Sequence, residues 1–173
     1  MRIGIDNSDV IYKREKPKSI GNSVTLPNDI RTIEKLEEVL LTLTEQVTYR
    51  LRKEKLLANV VNVQLRTKDF VDFSHQKKLD TAISNTKEIY SVAKELLYEM
   101  FENGYAIRLV GIRVDDLTSK DQMQLSFFDN TSNEKQDRID NTIDKLKEKY
   151  GYDFITRAGI LNMEENIKWK RKE

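Results

Sequence analysis

The apolar residues of this chain switch repeatedly between two spacings, and the switches limit which elements can form. Ile20, Val24 and Leu26 alternate with small polar residues, which predicts a half-buried strand from residue 19 that ends at Pro27. Over residues 28–56 the apolar positions step by three or four, the period of an amphipathic helix. A strand followed directly by a long helix is therefore expected at the start of the fold.

The same alternation of periods continues toward residue 114. Residues 61–68 alternate again and predict a second strand, Asp69–Asp72 a turn, and Phe73–Leu79 a third strand. A helical period over 84–100 and a strand over 105–114 complete the pattern. The expected fold is α+β: a four-stranded, antiparallel-rich sheet in the order strand–helix–strand–strand–helix–strand. Both helices cover one face of the sheet, and water covers the other.

Composition shifts on both sides of this unit. Residues 1–18 are polar without a period and predict a linker, 19–117 form the domain, and 118–133 predict an extended segment. Residues 134–173 predict a helical tail whose short helix docks on the domain, on a neighbouring domain or on a partner. Its apolar stripe consists of Ile139, Ile143, Leu146 and Tyr150.

Composition excludes several classes of function. No Cys is present, which excludes disulfides and thiolate zinc sites, and a single His argues against His-based metal chemistry. Neither a signal peptide nor an apolar run of roughly 18 residues is visible, so we expect a cytoplasmic protein without a membrane span. Lys and Arg number 30 against 29 acids, so any nucleic-acid binding must depend on one face of the fold.

Every second residue of the predicted strands is polar and faces away from the core, and these residues are the most informative feature. They are hydroxyls, amides and cations without a carboxylate, whereas acids concentrate on the predicted helices. Hydroxyls and amides hold phosphate oxygens, and Lys and Arg release counterions, so this face suits a phosphate backbone. The alternative is a face that is merely solvated. The set comprises Ser19, Gly21, Ser23, Thr25, Asn62, Gln64, Arg66 and Lys68, with Lys78 from the third strand.

Two arginines of the fourth strand complicate this assignment. Arg108 and Arg113 have opposite parity, so a regular strand turns only one of them outward. A bulge at Gly111 would reset the phase and turn both outward. Without a bulge, one of the two points elsewhere.

The predicted element order also fits RNA-recognition modules. Those modules stack bases on aromatic residues of their two central strands. Neither the second nor the fourth strand offers an outward aromatic residue in such a context, so RNA recognition by stacking is not expected.

Several segments together resemble a known family. The segments are Lys18–Ser23, Tyr49–Arg52, Gln64–Phe70, Ile107–Arg113 and Gln124–Phe128. In this order and spacing they resemble the C-terminal little finger domain of Y-family, DinB/UmuC-type translesion DNA polymerases.

The resemblance implies a function and a set of contacts. Little fingers lie in the major groove of duplex primer–template DNA and touch phosphates without recognising sequence. The first-strand contacts then fall on Ser19, Gly21, Asn22 and Thr25, and the fourth-strand contacts on Arg108 and Arg113.

The resemblance also implies what this stretch lacks. The catalytic carboxylates, the Mg²⁺ ions and the nucleotide contacts of these polymerases belong to the palm, fingers and thumb. We therefore expect no catalytic residue, metal site or cofactor in this stretch, and no nucleotidyl transfer by it alone. The parent would be a DNA polymerase acting in damage tolerance.

A short segment after the domain suggests a second partner. Its residues, in order Gln124, Leu125, Ser126, Phe127 and Phe128, resemble the peptide by which bacterial polymerases bind the β sliding clamp. Leu and two aromatic residues in an extended segment favour a pocket on another protein. The alternative is that Leu125 and Phe127 cover an edge of this domain or pack on the helix of the tail.

A different class of function stays open for the chain as a whole. The domain can be a protein–protein interaction module whose sheet face binds no nucleic acid. Charge reversal on the sheet face distinguishes the two hypotheses, because only the first predicts a loss of duplex binding.

Overall fold

The computed structural model of the chain describes residues 17–102, 104–119, 131–151 and 154–155. The predicted linker 1–18 lies almost entirely outside these residues, as does the segment Gln124–Phe128. The elements in chain order are β1 (Ser19–Ile30), α1 (Ile33–Lys53), β2 (Leu56–Thr67), β3 (Asp72–Ile83), α2 (Thr86–Met100), β4 (Ile107–Ser119) and α3 (Thr131–Tyr150).

The strands form one antiparallel sheet in the order β1-β4-β2-β3, which confirms the predicted α+β fold. β2 and β4 are central, and their alternate residues are buried against α1 and α2. Both helices therefore cover the same face. The centre of the core consists of Leu36, Leu40, Leu43, Val47, Val61, Val63, Leu65, Ile89, Leu97, Val110, Ile112 and Val114.

All four strands extend further than the alternation predicted, and β2 begins at Leu56 instead of Val61. β1 continues past Pro27 to Ile30 through an irregularity in its pairing with β4. Consequently α1 begins only at Ile33. β3 begins at Asp72, in the predicted turn, and β4 continues to Ser119.

The alternation of β3 was hard to detect because β3 is an edge strand with charged side chains on its inner side. His75 and Lys77 point toward α2, where they pair with Glu99 at 3.3 Å and Glu95 at 2.6 Å. At a sheet edge these side chains keep their charged ends in water while their stems cover the helix. The polar residues of β3 therefore occur on both sides of the strand.

α3 docks on the helical layer through a buried polar cluster. The Arg52 guanidinium donates from Nε and Nη2 to both carboxylate oxygens of Asp144, at 2.6 and 2.8 Å, and from Nη1 to Asp140 at 3.4 Å. Asp140 also accepts a hydrogen bond from the backbone N–H of Thr86 at 2.9 Å, at the start of α2. Lys147 pairs with Glu45 of α1 at 3.3 Å. The sequence left the position of this helix open, and the structure places it on the domain.

This docking corrects the predicted apolar stripe of the tail helix. Ile139 and Tyr150 are 42% and 52% exposed, whereas Asp140 and Lys147 are buried. Burial lowers the pKa of Arg52, but its hydrogen bond to Asp144 and the charges of Asp144 and Asp140 outweigh that effect and raise the pKa overall. Arg52 therefore remains charged inside the cluster.

No helix in the described part of the chain has the length and apolar composition that crossing a membrane requires.

We expect Asp140→Ala to lower the free energy of unfolding by about 2 kcal/mol, because it removes an acceptor from a buried backbone N–H and from Arg52. Urea denaturation followed by circular dichroism measures the change. Glu148→Ala is the matched control, since it removes an exposed carboxylate from the same helix and should change stability by less than about 0.5 kcal/mol. Equal effects of the two variants would show that the cluster does not hold α3.

Candidate nucleic-acid interface

The sheet side opposite the helices is built from residues that lie opposite one another across all four strands. Because paired residues of neighbouring antiparallel strands point to the same side, each row is a continuous strip of surface. We call these rows the outer face. They are Ser19–Asp115–Val60–Lys78, Gly21–Arg113–Asn62–Gln76, Ser23–Gly111–Gln64–Ser74 and Thr25–Leu109–Arg66–Asp72.

Small residues keep the middle of the outer face flat. A Cβ added to Gly21 would lie 3.0 Å from Cγ of Arg113, and one added to Gly111 would lie 3.2 Å from Cβ of Ser23. The Arg113 side chain therefore lies close to the β1 backbone at Gly21, where a larger residue would displace it. Gly21 and Ser23 are exposed, so a ligand can approach the β1 backbone closely there, whereas Gly111 is buried beneath its neighbours.

The prediction of a carboxylate-free face is wrong. Arg66 forms a two-bond ion pair with Asp72, at 2.7 Å from Nε to Oδ1 and 2.9 Å from Nη2 to Oδ2. Arg113 pairs with Asp115 at 2.9 Å. Both aspartates were assigned to strand ends and turns, and the longer β3 and β4 place them on the outer face instead.

The Arg66–Asp72 pair stays charged at neutral pH. The hydrogen bond from Arg66, together with its charge, holds the pKa of Asp72 below its ordinary value. A phosphate that binds Arg66 must therefore compete with an ionised carboxylate. Because the side chains of Arg66 and Asp72 are 35% and 46% exposed, solvent screens the pair and the competition is not prohibitive.

The outer face nevertheless keeps an excess of positive charge. Its rows contain Arg66, Lys78 and Arg113 against Asp72 and Asp115. The glutamates of the helices face the other way, and Lys77 and Lys94 pair with Glu95 and Glu37 there. The predicted segregation of acids is thus confirmed in direction but is incomplete.

A bulge in β4 exposes both Arg108 and Arg113, but it does not lie at Gly111 as predicted. Gly111 pairs regularly with Ser23 and Gln64, so it hosts no bulge. The register instead shifts between Arg66 and Thr67, which face Leu109 and Ile107. The extra residue is Arg108. Ile107 and Val110 are both buried, and Arg108 and Arg113 are both exposed.

Two further predicted contact residues lie off the rows. Asn22 shares the parity of the core residue Ile20, and its side-chain amide donates to Gln46 of α1. Its side chain therefore belongs to the helical side. Lys68 is exposed in the turn after β2, and its backbone N–H donates to Ala106 at 2.8 Å.

One exposed residue escaped the sequence analysis. Phe70 lies in the turn between β2 and β3, 67% exposed, with the Arg108 guanidinium 5.3 Å from its ring centre. The available signal was an adjacent pair of apolar residues, Phe70 and Val71, inside an otherwise polar turn. The alternation of residues along a strand gives no information about a residue in a turn.

Within the described residues, no three His, Asp or Glu side chains converge as a metal site requires.

Comparison with known proteins places this geometry in context. The model of the impB/mucB/samB family C-terminal domain matches residues 17–127. The chain is 38% identical to DNA polymerase IV of Clostridium acetobutylicum over 162 residues, which cover 94% of this chain and 41% of that protein. It is 35% identical to DNA polymerase IV of Moorella thermoacetica over 156 residues, covering 90% and 38%. The chain thus spans about two fifths of the length of these relatives.

Solved structures share the fold. An insertion ternary complex of Dbh DNA polymerase matches 58% of this chain and 29% of its own, with a TM-score of 0.52 at 22% identity. A Y-family DNA polymerase chimera of Dbh and Dpo4 matches 61% of this chain and 30% of its own, with a TM-score of 0.54 at 23% identity.

Proposed function

The chain belongs to the impB/mucB/samB C-terminal domain family, the little finger of Y-family DNA polymerases, and we propose that its outer face binds duplex primer–template DNA. The parent protein is then a DNA polymerase IV that acts in translesion synthesis and damage tolerance. The observation that carries the proposal is the outer face itself, with its donors, its cations and its flat centre.

Each class of group on the outer face has a role in this proposal. Hydroxyls and amides such as Ser19, Thr25, Asn62 and Gln64 donate to phosphate oxygens, and the small residues let the backbone approach. Arginine and lysine neutralise phosphates and release counterions, which makes binding salt-dependent. Contacts to phosphates position a protein without specifying sequence. The face should therefore hold any sequence, damaged or intact.

We assign no nucleotidyl transfer to this chain. The relatives are more than twice its length, and the resemblance assigns the catalytic carboxylates and Mg²⁺ to the palm. This domain would hold the duplex while the palm, fingers and thumb of the same polymerase carry out synthesis.

Duplex affinity should fall steeply with salt and upon charge reversal on the outer face. With three to five phosphate contacts, raising salt from about 50 to 200 mM should weaken binding roughly 40- to 500-fold. We expect Arg66→Glu and Arg113→Glu each to weaken binding roughly tenfold at low salt and to lower the salt slope by about one unit. Fluorescence anisotropy with duplexes of unrelated sequence measures both effects.

Lys87→Glu is the matched control for these reversals. It makes the same change in net charge at an exposed position in the first turn of α2, on the helical side. A flat salt response, or equal losses in all three variants, would contradict binding through the outer face.

Removing an outer-face carboxylate should have the opposite effect. We expect Asp72→Asn to tighten duplex binding several-fold at low salt, because a phosphate no longer competes with an ionised partner of Arg66. Glu148→Gln makes the same change in charge at an exposed position of α3 and should alter the affinity for duplex DNA little. Unchanged or weaker binding by the Asp72 variant would show that Arg66 does not contact phosphate.

The ion pairs of the outer face favour a second candidate function. Arg66 and Arg113 already have carboxylate partners, so the face is also compatible with a protein–protein interaction module that binds no nucleic acid. Under this alternative the reversals above leave duplex binding unchanged because none exists.

The segment Gln124–Phe128 supports a second partner, the β sliding clamp. Leu125 and Phe128 would fill apolar pockets of the clamp, and Gln124 would orient the peptide. We expect the double variant Leu125→Ala/Phe128→Ala to lose at least tenfold in affinity for the clamp, measured by calorimetric titration. Met123→Ala, which removes a neighbouring apolar residue outside the segment, should bind as the unaltered chain does. Equal affinity of all three would remove the clamp from the proposal.

A further inference from the structure

Phe70 is held outward in a conformation that an aromatic residue rarely adopts. Its φ is +62°, in the left-handed region, which generally costs a non-glycine residue about 1 kcal/mol or more. The turn is closed by hydrogen bonds from the Thr67 N–H to Val71, at 3.0 Å, and from the Phe70 N–H to Thr67, at 3.1 Å. The Val71 N–H also donates to the Thr67 hydroxyl at 3.2 Å. The fold thus fixes an apolar ring in solvent where Gly or Asn would fit with less strain.

The ring of Phe70 has a cation on one side and space for another flat group. The Arg108 guanidinium lies 5.3 Å from the ring centre, within the range of a cation–π contact. Among the described residues no aromatic ring stacks on Phe70, although two thirds of its surface is exposed. By contrast, the exposed Tyr150 stacks on Phe154.

The position of this corner relates it to the outer face. The bulge at Arg108 brings that arginine to the turn, and the hydrogen bond from the Lys68 N–H to Ala106 ties the turn to the start of β4. Phe70 lies two residues before Asp72, and Asp72 belongs to the last row of the outer face. A nucleic acid that follows the rows would reach Phe70 as it leaves the sheet.

We propose that Phe70 and Arg108 bind an unpaired nucleotide of a DNA strand that extends beyond the duplex on the outer face. The base stacks on the Phe70 ring and its phosphate approaches Arg108. Stacking of a base on an aromatic residue contributes about 1–3 kcal/mol and tolerates every base. The opposite charges of Lys68 and Asp69 cancel, so the charge of Arg108 makes the surroundings of Phe70 positive. A positive surface favours a polyanion over an apolar protein segment.

This inference rests on the proposed duplex binding, so the experiment separates the two. Anisotropy compares a blunt duplex, the same duplex with a single-stranded overhang, and the same overhang with abasic sites. We expect the overhang to raise affinity roughly fivefold or more, and the abasic overhang to remove most of that gain. Phe70→Ala should lose the gain and bind the blunt duplex as before, whereas Phe70→Trp should keep it.

A matched control and a second readout keep the test decisive. Tyr150→Ala removes another exposed aromatic residue that lies near a cation, Lys149 at 5.1 Å, and should keep the overhang gain. In the double variant Trp169→Phe/Phe70→Trp, which keeps a single indole, stacking of a base should quench the indole fluorescence.

The outcomes distinguish the two proposals. Equal gains from intact and abasic overhangs, or a gain that persists in Phe70→Ala, would overturn stacking at this corner while leaving duplex binding intact. If the blunt duplex does not bind, the outer-face proposal fails, and quenching of the double variant Trp169→Phe/Phe70→Trp by a single-stranded oligonucleotide then tests the corner separately. Absence of quenching would overturn it.

Discussion

The antiparallel pairing of β4 with both β1 and β2 fixes almost every other feature of this domain. Side chains alternate along a strand, so burying Val110, Ile112 and Val114 under the helices forces Gly111 and Arg113 to the opposite side. The two neighbouring strands are held in the same phase by their hydrogen bonds to β4. The outer face is thus a consequence of core packing, and a slip of one residue would turn its polar residues into the core.

The electrostatics of the outer face follow from the same register. Arg66 lies opposite Asp72 because β2 and β3 pair there, and Arg113 lies two residues from Asp115 on one strand. Such pairs, which solvent reaches, contribute little to stability. The ion pairs weaken phosphate binding, because a phosphate must compete with a carboxylate for each arginine.

The element order was predictable because hydrophobic period is a local property. The strand ends were not, since Asp72 and Asp115 are polar residues on a polar face and nothing in their chemistry separates a strand from a turn. Arg108 is exposed because of a bulge, which arises from the pairing of β2 with β4. The prediction that the bulge lies at Gly111 was wrong. Asn22 was assigned to DNA by resemblance, although its parity already placed its side chain with the core. Phe70 was missed because its exposure depends on the conformation of a turn.

The docking of α3 shows why charge patterns predict helix placement poorly. Asp140 and Lys147 are residues that composition assigns to water, yet both are buried because Arg52, Thr86 and Glu45 offer matching partners. Glu45 and Arg52 lie on α1 and Thr86 begins α2, so no pattern within α3 itself reveals the match. A shift of α3 would leave a buried charge without its partner, which is strongly destabilising. Its contacts are with α1 and the start of α2, on the side opposite the outer face. Arg52, which holds α3, therefore belongs to the helical layer, whereas Arg66 and Arg113 belong to the outer face of the sheet.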